Sequence, residues 1–258
     1  RPSAGEARVL GYDLEREPEK IKGRIGYLSQ NFTLYGDLTV DENIEFFSEI
    51  HGVGDFRRRR AELLEFTRLT PFADRLARNL SGGMKKKLAL ACTLIHTPDL
   101  ILLDEPSTGV DPVSRGEFWN ILSDILEQGV TILMTSPYLD EAERCHRICL
   151  MHAGRTLVAG TPGEVKAAMP GAVCDIECEQ PAKAYAVLRS GWPAAGMVLY
   201  GDRIRFWSRS GPDEARRAVA LLAEQGVPGA VCREVVPSLE DAMVALVGIR
   251  DGKQKISE

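Results

Sequence analysis

Apolar and polar positions change their period several times along the chain, and each change marks an element. Glu6 to Leu10 reads as a short strand closed by Gly11-Tyr12-Asp13, and Arg24 to Ser29 as a second strand ending at Gln30. From Thr39 the period becomes helical. Thr39 can cap a helix whose first turn holds Asp41 and Glu42, and Ile44, Phe47 and Ser48 then share one face. A second helix covers about Phe56 to Leu69, and its run Arg57-Arg58-Arg59-Arg60 reads as a solvated face. Leu100 to Leu103 is an unbroken apolar run, the pattern of a strand buried on both faces. Phe118, Ile121, Leu122, Ile125 and Leu126 recur at helical spacing until Gly129, and Val130 to Thr135 reads as a buried parallel strand. Arg147 to Met151 and Thr156 to Ala159 form a hairpin turned at Ala153-Gly154.

After Gly160-Thr161-Pro162-Gly163 the texture changes. Val173 to Glu179 reads as a strand, Ala182 to Ser190 as a helix, and Met197 to Tyr200 and Ile204 to Ser208 as strands. Asp213 to Gln225 is helical and Ala230 to Val236 extended, so the order is β-α-β-β-α-β, the ferredoxin-like arrangement. A linker is expected at 166–172, where Pro170-Gly171 punctuates the chain. The expected domains are therefore 1–165, with a helical subdomain over about 32–95, and 172–248.

Composition narrows the classes. Of 258 residues 44% are hydrophobic and 27% charged, which is ordinary for a globular protein. Lys+Arg of 32 against Asp+Glu of 37 gives a net charge of −5, which argues against a nucleic-acid partner. No apolar run reaches the roughly 20 residues that cross a bilayer, and Arg1-Pro2-Ser3-Ala4-Gly5-Glu6 has no signal-peptide core. The expectation is a soluble, cytoplasmic protein whose membrane contact comes through a partner. Cys145/Cys149 and Cys174/Cys178 are spaced four apart in apolar stretches, unlike the two-residue gap of zinc knuckles. With Cys92 and Cys232 they read as buried free thiols in a reducing compartment.

Two stretches carry chemistry. Leu100-Ile101-Leu102-Leu103 runs into Asp104-Glu105-Pro106, which places two carboxylates beyond the C-terminal end of a strand, where open α/β sheets bind ligands. An Asp there can hold Mg2+, directly or through water, and the next Glu can polarise an attacking water. Two solvated acids ending a strand are the plainer alternative. Upstream, Leu80-Ser81-Gly82-Gly83-Met84 opens the run Lys85-Lys86-Lys87-Leu88-Ala89-Leu90-Ala91. Ser81 is a good N-cap, the glycines let backbone N–H groups approach an anion, and the positive helix end suits phosphate.

Taken in order over about 1–165, these stretches resemble the ATP-binding subunits of ABC transporters. Leu80 to Met84 is similar to the family's signature motif, with Met84 where Gln is commoner, and Leu100 to Glu105 to its Walker B segment. The resemblance implies that Asp104 serves the metal, that Glu105 is the catalytic base, and that Gln30 is the Q-loop glutamine serving both metal and water. It also implies that Ser81, Gly82, Gly83, Met84 and Asp111, the last in the D-loop-like Ser107-Thr108-Gly109-Val110-Asp111, act on ATP held by a partner. The implied fold is α/β: an incomplete P-loop NTPase domain, parallel sheet plus helical subdomain, with a ferredoxin-like C-terminal extension. The implied cofactors are ATP and Mg2+. The implied partners are a membrane permease and a second ATP-binding cassette, at the inner face of the cell membrane. Val173 to Gly248, with Pro237-Ser238-Leu239-Glu240-Asp241-Ala242-Met243, resembles the extension of single-cassette drug, lipid or polysaccharide exporters.

Two departures qualify the resemblance. The phosphate cradle G-x-x-x-x-G-K-[ST] is not in the sequence, so the expectation is an N-terminally truncated chain that is inactive by itself. In Thr131 to Glu143, which resembles the switch strand, Pro137 stands where the family has His and offers neither ring nitrogen nor backbone N–H. A degenerate cassette that lends its signature motif to a sister ATPase is thus the alternative reading. A third class, the soluble ABC proteins acting on DNA or ribosomes, usually carries two cassettes or a long coiled coil, and neither is visible here.

Overall fold

The computed structural model describes residues 3–31, 34–191, 196–208 and 212–254. They fall into two compact units, 1–137 and 138–258.

In the first unit, β1 (Arg8–Val9) and β2 (Tyr12–Asp13) form a small hairpin. Leu10 and Gly11 take positive φ at its turn, so the chain reverses earlier than the expected Gly11-Tyr12-Asp13 turn and the strand is shorter. After α1 (Pro18–Lys22) come β3 (Ile25–Leu28), α2 (Val40–His51), α3 (Phe56–Phe66) and α4 (Gly82–Leu94). Then follow β4 (Leu100–Asp104), α5 (Pro112–Glu127) and β5 (Thr131–Thr135). The three longer strands make a parallel sheet ordered β3-β4-β5, with Leu28 beside Leu103 and Asp104 beside Thr135.

Thr39 caps α2 as its sequence predicts, and Glu42 returns a bond to make a full capping box. Ile44 and Ser48 are buried and Phe47 packs against the same core, which joins Leu63, Leu88, Ile101, Phe118 and Ile125. Buried Asn43 satisfies its amide on the preceding loop, donating to the carbonyls of Tyr35, Leu38 and Thr39 and accepting from the Tyr35 N–H.

Two expectations change here. The arginine run is not one solvated face: Arg57 and Arg58 are exposed, but Arg59 donates to the Leu94 carbonyl at 3.0 Å and Arg60 pairs with Asp41. Four consecutive helical positions sweep most of a turn, so some must meet neighbouring helices. β5 is parallel as expected but not buried: its residues alternate exposed and half-buried, and Leu133 is 63% exposed. It pairs with β4 along one edge, and among the described residues no strand pairs with the other.

The second unit contains α6 (Leu139–Ala142), β6 (Ile148–His152), β7 (Arg155–Gly160) and α7 (Pro162–Ala167). β6 and β7 form the expected hairpin, with Ala153 and Gly154 both at positive φ. Next come β8 (Ala172–Glu177), α8 (Pro181–Gly191), β9 (Gly196–Leu199) and β10 (Arg203–Ser208). The chain continues with α9 (Pro212–Glu224), β11 (Val231–Val235) and α10 (Leu239–Gln254). The antiparallel sheet runs β11-β8-β10-β9, which for β-α-β-β-α-β is the fourth-first-third-second order of a ferredoxin-like fold. Ile176, Leu188, Ile204, Phe206 and Leu222 fill its core.

The linker expected at 166–172 is not where the compact units divide; that division falls between Pro137 and Tyr138. The reason is apolar. Leu150 of the hairpin, Val165 of α7 and Leu239 of α10 are buried in one cluster. The phrase Pro237 to Met243 begins α10: Ser238 donates twice to the Asp241 carboxylate at 2.8 Å, and the Asp241 N–H returns to Ser238 Oγ at 3.1 Å. All six cysteines are free thiols, but only Cys92 and Cys174 are buried; Cys145, Cys178 and Cys232 are half-buried and Cys149 is exposed. Burial pushes the Cys92 thiol far above its usual range and the Cys174 thiol up to about 12.

Candidate functional site

β3 and β4 end side by side, so the residues just beyond them converge. The Gln30 side-chain amide donates to Glu105 Oε2 at 2.8 Å, and the Thr108 hydroxyl reaches the same oxygen at 3.2 Å. Glu105 Oε1 has no hydrogen bond among the described residues. Glu105 itself sits at φ 45°, in the left-handed region that residues with a Cβ seldom occupy. Its N–H points to Thr135, at 3.2 Å from the carbonyl and 3.0 Å from the hydroxyl. The Thr135 hydroxyl in turn donates to Asp104 Oδ1 at 2.6 Å. A hydroxyl has one proton, so here it is given to Asp104 while the lone pairs face Glu105. The Lys86 ammonium donates to the Gln30 carbonyl at 2.9 Å. Burial lowers the Lys86 pKa, and the Glu105 charge partly opposes that.

A second group forms where α4 and α5 begin. Ser81 caps α4 by accepting from the Met84 N–H at 3.3 Å. Gly83 is buried, and a Cβ placed on it would lie 2.5 Å from Ser114 Cβ, so its glycine is needed for helix contact as well as for an open backbone. Met84 packs against the first unit's core, an apolar use of a position where the resemblance leads one to expect Gln. Asp111 caps α5, accepting from the N–H groups of Val113 at 3.1 Å and Ser114 at 3.0 Å, and Ser114 holds its carboxyl below the usual range. A Cβ on Gly82 would stand 3.8 Å from the Gly109 carbonyl, so the Ser-Gly-Gly turn and the Ser107–Asp111 loop are neighbours.

The structure thus brings Gln30, Asp104 and Glu105 together, and separately Ser81, Gly82, Gly83 and Asp111. Among the described residues no hydrogen bond joins Ser81–Met84 to Asp104 or Glu105. Lys86, on the helix that Ser81 caps, is one tie between the groups, and Thr108, in the loop that ends at Asp111, is another. Pro137 lies exposed two residues beyond Thr135. Sequence reasoning missed Thr135, Thr108 and Lys86. Thr135 becomes visible once β4 and β5 are put in register, because it then stands opposite Asp104. Lys86 was hidden in a run of three lysines, of which Lys87 is used elsewhere, in an ion pair with Glu117.

Comparison with known proteins places the chain in a family. The ABC transporter family matches residues 1–108. The probable multidrug ABC transporter ATP-binding protein YbhF of Escherichia coli K12 is 38% identical over 255 residues, covering 96% of this chain but 43% of its own length. The daunorubicin/doxorubicin resistance ATP-binding protein DrrA of Streptomyces peucetius is 33% identical, covering 96% of this chain and 77% of its own. The solved structure of cbiO1 from Clostridium perfringens, part of the ABC transporter complex cbiONQ, superposes with a TM-score of 0.59 at 26% identity, over 65% of this chain and 70% of that one. The chain therefore spans less than half of the first of these relatives and most of the second. A third of the residues shared along most of DrrA assigns the chain to the ATP-binding proteins of ABC transporters.

Proposed function

We propose that the chain is part of a motor subunit that uses ATP hydrolysis to drive a membrane exporter. The observation that carries this is the linked set Gln30–Glu105–Thr135–Asp104, in which Asp104 would serve a metal and Glu105 would act as a base. The donor set fits Mg2+, a hard cation that takes oxygen ligands: Asp104 offers Oδ2, and Gln30 offers its amide oxygen while its NH2 is held by Glu105. Bound there, Mg2+ would neutralise phosphate charge. Glu105 would take the proton of the attacking water at Oε1, because Oε2 is already occupied by Gln30 and Thr108. Ser81, Gly82, Gly83 and Asp111 would face ATP bound by a second cassette, which accounts for a signature turn that is intact yet not bonded to this chain's own acidic pair. A permease would tie the pair to the inner face of the cell membrane, and the names of the relatives point to drugs as cargo. Among the described residues no helix is long and apolar enough to cross a membrane. The unit holding β8 to β11 would serve as a regulatory or accessory domain.

The test is Glu105→Gln in the full-length protein with its partners. Turnover should fall about 10²–10⁴-fold with ATP binding retained, because the shape stays and the base goes. Near-normal turnover would sink the reading. Pro137 favours a second version, in which this cassette mainly lends Ser81-Gly82-Gly83 to a sister with an intact switch residue. The same assay with and without the sister separates them: full turnover by this subunit alone rules the second version out.

A further inference from the structure

We infer that Thr135 is a positioning residue that sets the metal-side carboxylate and the base of the proposed site to a single strand. The inference rests on the function proposed above, but it concerns a residue to which that function assigns nothing. Three observations meet at one hydroxyl. It donates to Asp104 Oδ1 at 2.6 Å, the short distance of a hydrogen bond to an ionised acceptor. It accepts from the Glu105 N–H at 3.0 Å. Finally, Glu105 is held at φ 45°, a conformation that persists in a non-glycine residue only when its surroundings hold it.

Consecutive residues of an extended strand point their side chains to opposite faces. The twist at Glu105 breaks that rule locally, and its side chain reaches Gln30 and Thr108. The Thr135 hydroxyl, on the neighbouring strand and in register with Asp104, ties down both sides of the break: the carboxylate before it and the N–H after it. With Oδ1 engaged, only Oδ2 of Asp104 is left for a cation. With the N–H engaged, Glu105 cannot relax to an ordinary φ without losing its bonds to β5. Outer partners of this kind are typically worth about 10- to 100-fold in metal affinity or activity.

The experiment uses the full-length protein with its partners and compares Thr135→Val, Thr135→Ala and Thr135→Ser. Valine keeps the shape without the hydroxyl, and serine keeps the hydroxyl without the methyl. Expected are a 10- to 100-fold loss of turnover for the valine and alanine variants and a loss of less than about threefold for serine. A second readout is Mn2+ affinity by electron paramagnetic resonance, with excess non-hydrolysable ATP analogue. It should weaken about tenfold in Thr135→Val but not in Glu105→Gln, which loses turnover alone. Thr135 is exposed at a strand end, so folding should survive, and a melting curve checks this; the alanine variant decides if valine does not fold. Wild-type turnover and Mn2+ affinity in Thr135→Val, or equal damage from valine and serine, would overturn the inference. If instead the wild type does not hydrolyse ATP, or Glu105→Gln does, it is the functional reading that fails.

Discussion

At the C-terminal edge of the parallel sheet, Asp104, Glu105 and Gln30 each spend part of their hydrogen-bonding capacity on one another's neighbourhood and keep an oxygen in reserve. In the antiparallel sheet of the second unit Asp175 spends both of its oxygens, while the partners of Asp241 all gather on Oδ2. Asp175 takes two bonds from Arg205, at 2.6 and 3.2 Å, and a charge contact from Arg203; Asp241 takes Arg205 at 3.0 Å and two bonds from Ser238. Among the described residues of the second unit, the only non-glycine at positive φ is Ala153, in a hairpin turn, whereas the first unit places Glu105 there at its site. Similar acidic residues therefore play opposite parts. At Asp175 both oxygens are filled and the carboxylate joins two strands; at Glu105 one oxygen is left over and the backbone is bent, the arrangement that the proposed base would need.

The comparison breaks most visibly at Asp175, which is 8% exposed. Asp175→Ala strands Arg205, and removing one member of a buried pair costs about 3–5 kcal/mol. Urea unfolding should show a loss near the lower end, because Arg205 keeps Asp241, while the turnover of the full-length protein per folded molecule stays unchanged. A loss below about 1 kcal/mol would mean that the Asp175–Arg205 pair adds little to the joining of β8 and β10. A smaller effect is expected at Gly83→Ala. The new methyl meets Ser114 Cβ at 2.5 Å, and overpacking of this kind costs about 1–3 kcal/mol. Ser114→Gly in the same chain should recover part of the loss, a non-additivity that a double-mutant cycle reads directly.

The smallest effect sharpens the comparison through pH. His51 and His96 stack with ring centroids 4.1 Å apart. Burial lowers both pKa values, and for His96 the neighbouring His51 and Arg59 add to it while the Ile25 carbonyl opposes it. Because the folded pKa lies below the ordinary histidine value of about 6.5, the unfolded chain binds more protons below that pH. Stability should therefore be full above about pH 6.5 and decline as pH falls towards 5. The loss should stay under about 1 kcal/mol, since His51 is largely solvent-screened. His96→Gln, which cannot be protonated, should flatten that decline in thermal melts; an unchanged slope would exclude the pair as its source.

Much of this was readable before any coordinates. The Thr39 cap, the amphipathic α5 and the β-α-β-β-α-β order all rest on local period and local chemistry, which the chain carries with it. Asp104 and Glu105 were also legible from their place at a strand end, and Gln30 through the family resemblance. What was not legible depends on neighbours distant in sequence. Arg59 and Arg60 look alike until α4 and α2 arrive beside them. The apolar run of β5 is the same whether one edge or both are paired. Thr135 is an ordinary strand residue until register sets it opposite Asp104. The place where the compact units part depends on Leu150, Val165 and Leu239 meeting, three residues that no window of sequence contains together.

The half-exposed β5 has a consequence of a colloidal kind. Thr131 to Thr135 is rich in β-favouring side chains, carries no charge, and sets Leu133 out to 63% exposure beside an edge without a strand partner among the described residues. Such an edge is a template for any extended segment that comes near, and at high concentration the nearest is the same strand of another molecule. Purified by themselves, these 258 residues should be limited by shelf life and concentration well before they are limited by unfolding, and a lysine in place of Leu133 is the change that would lengthen both.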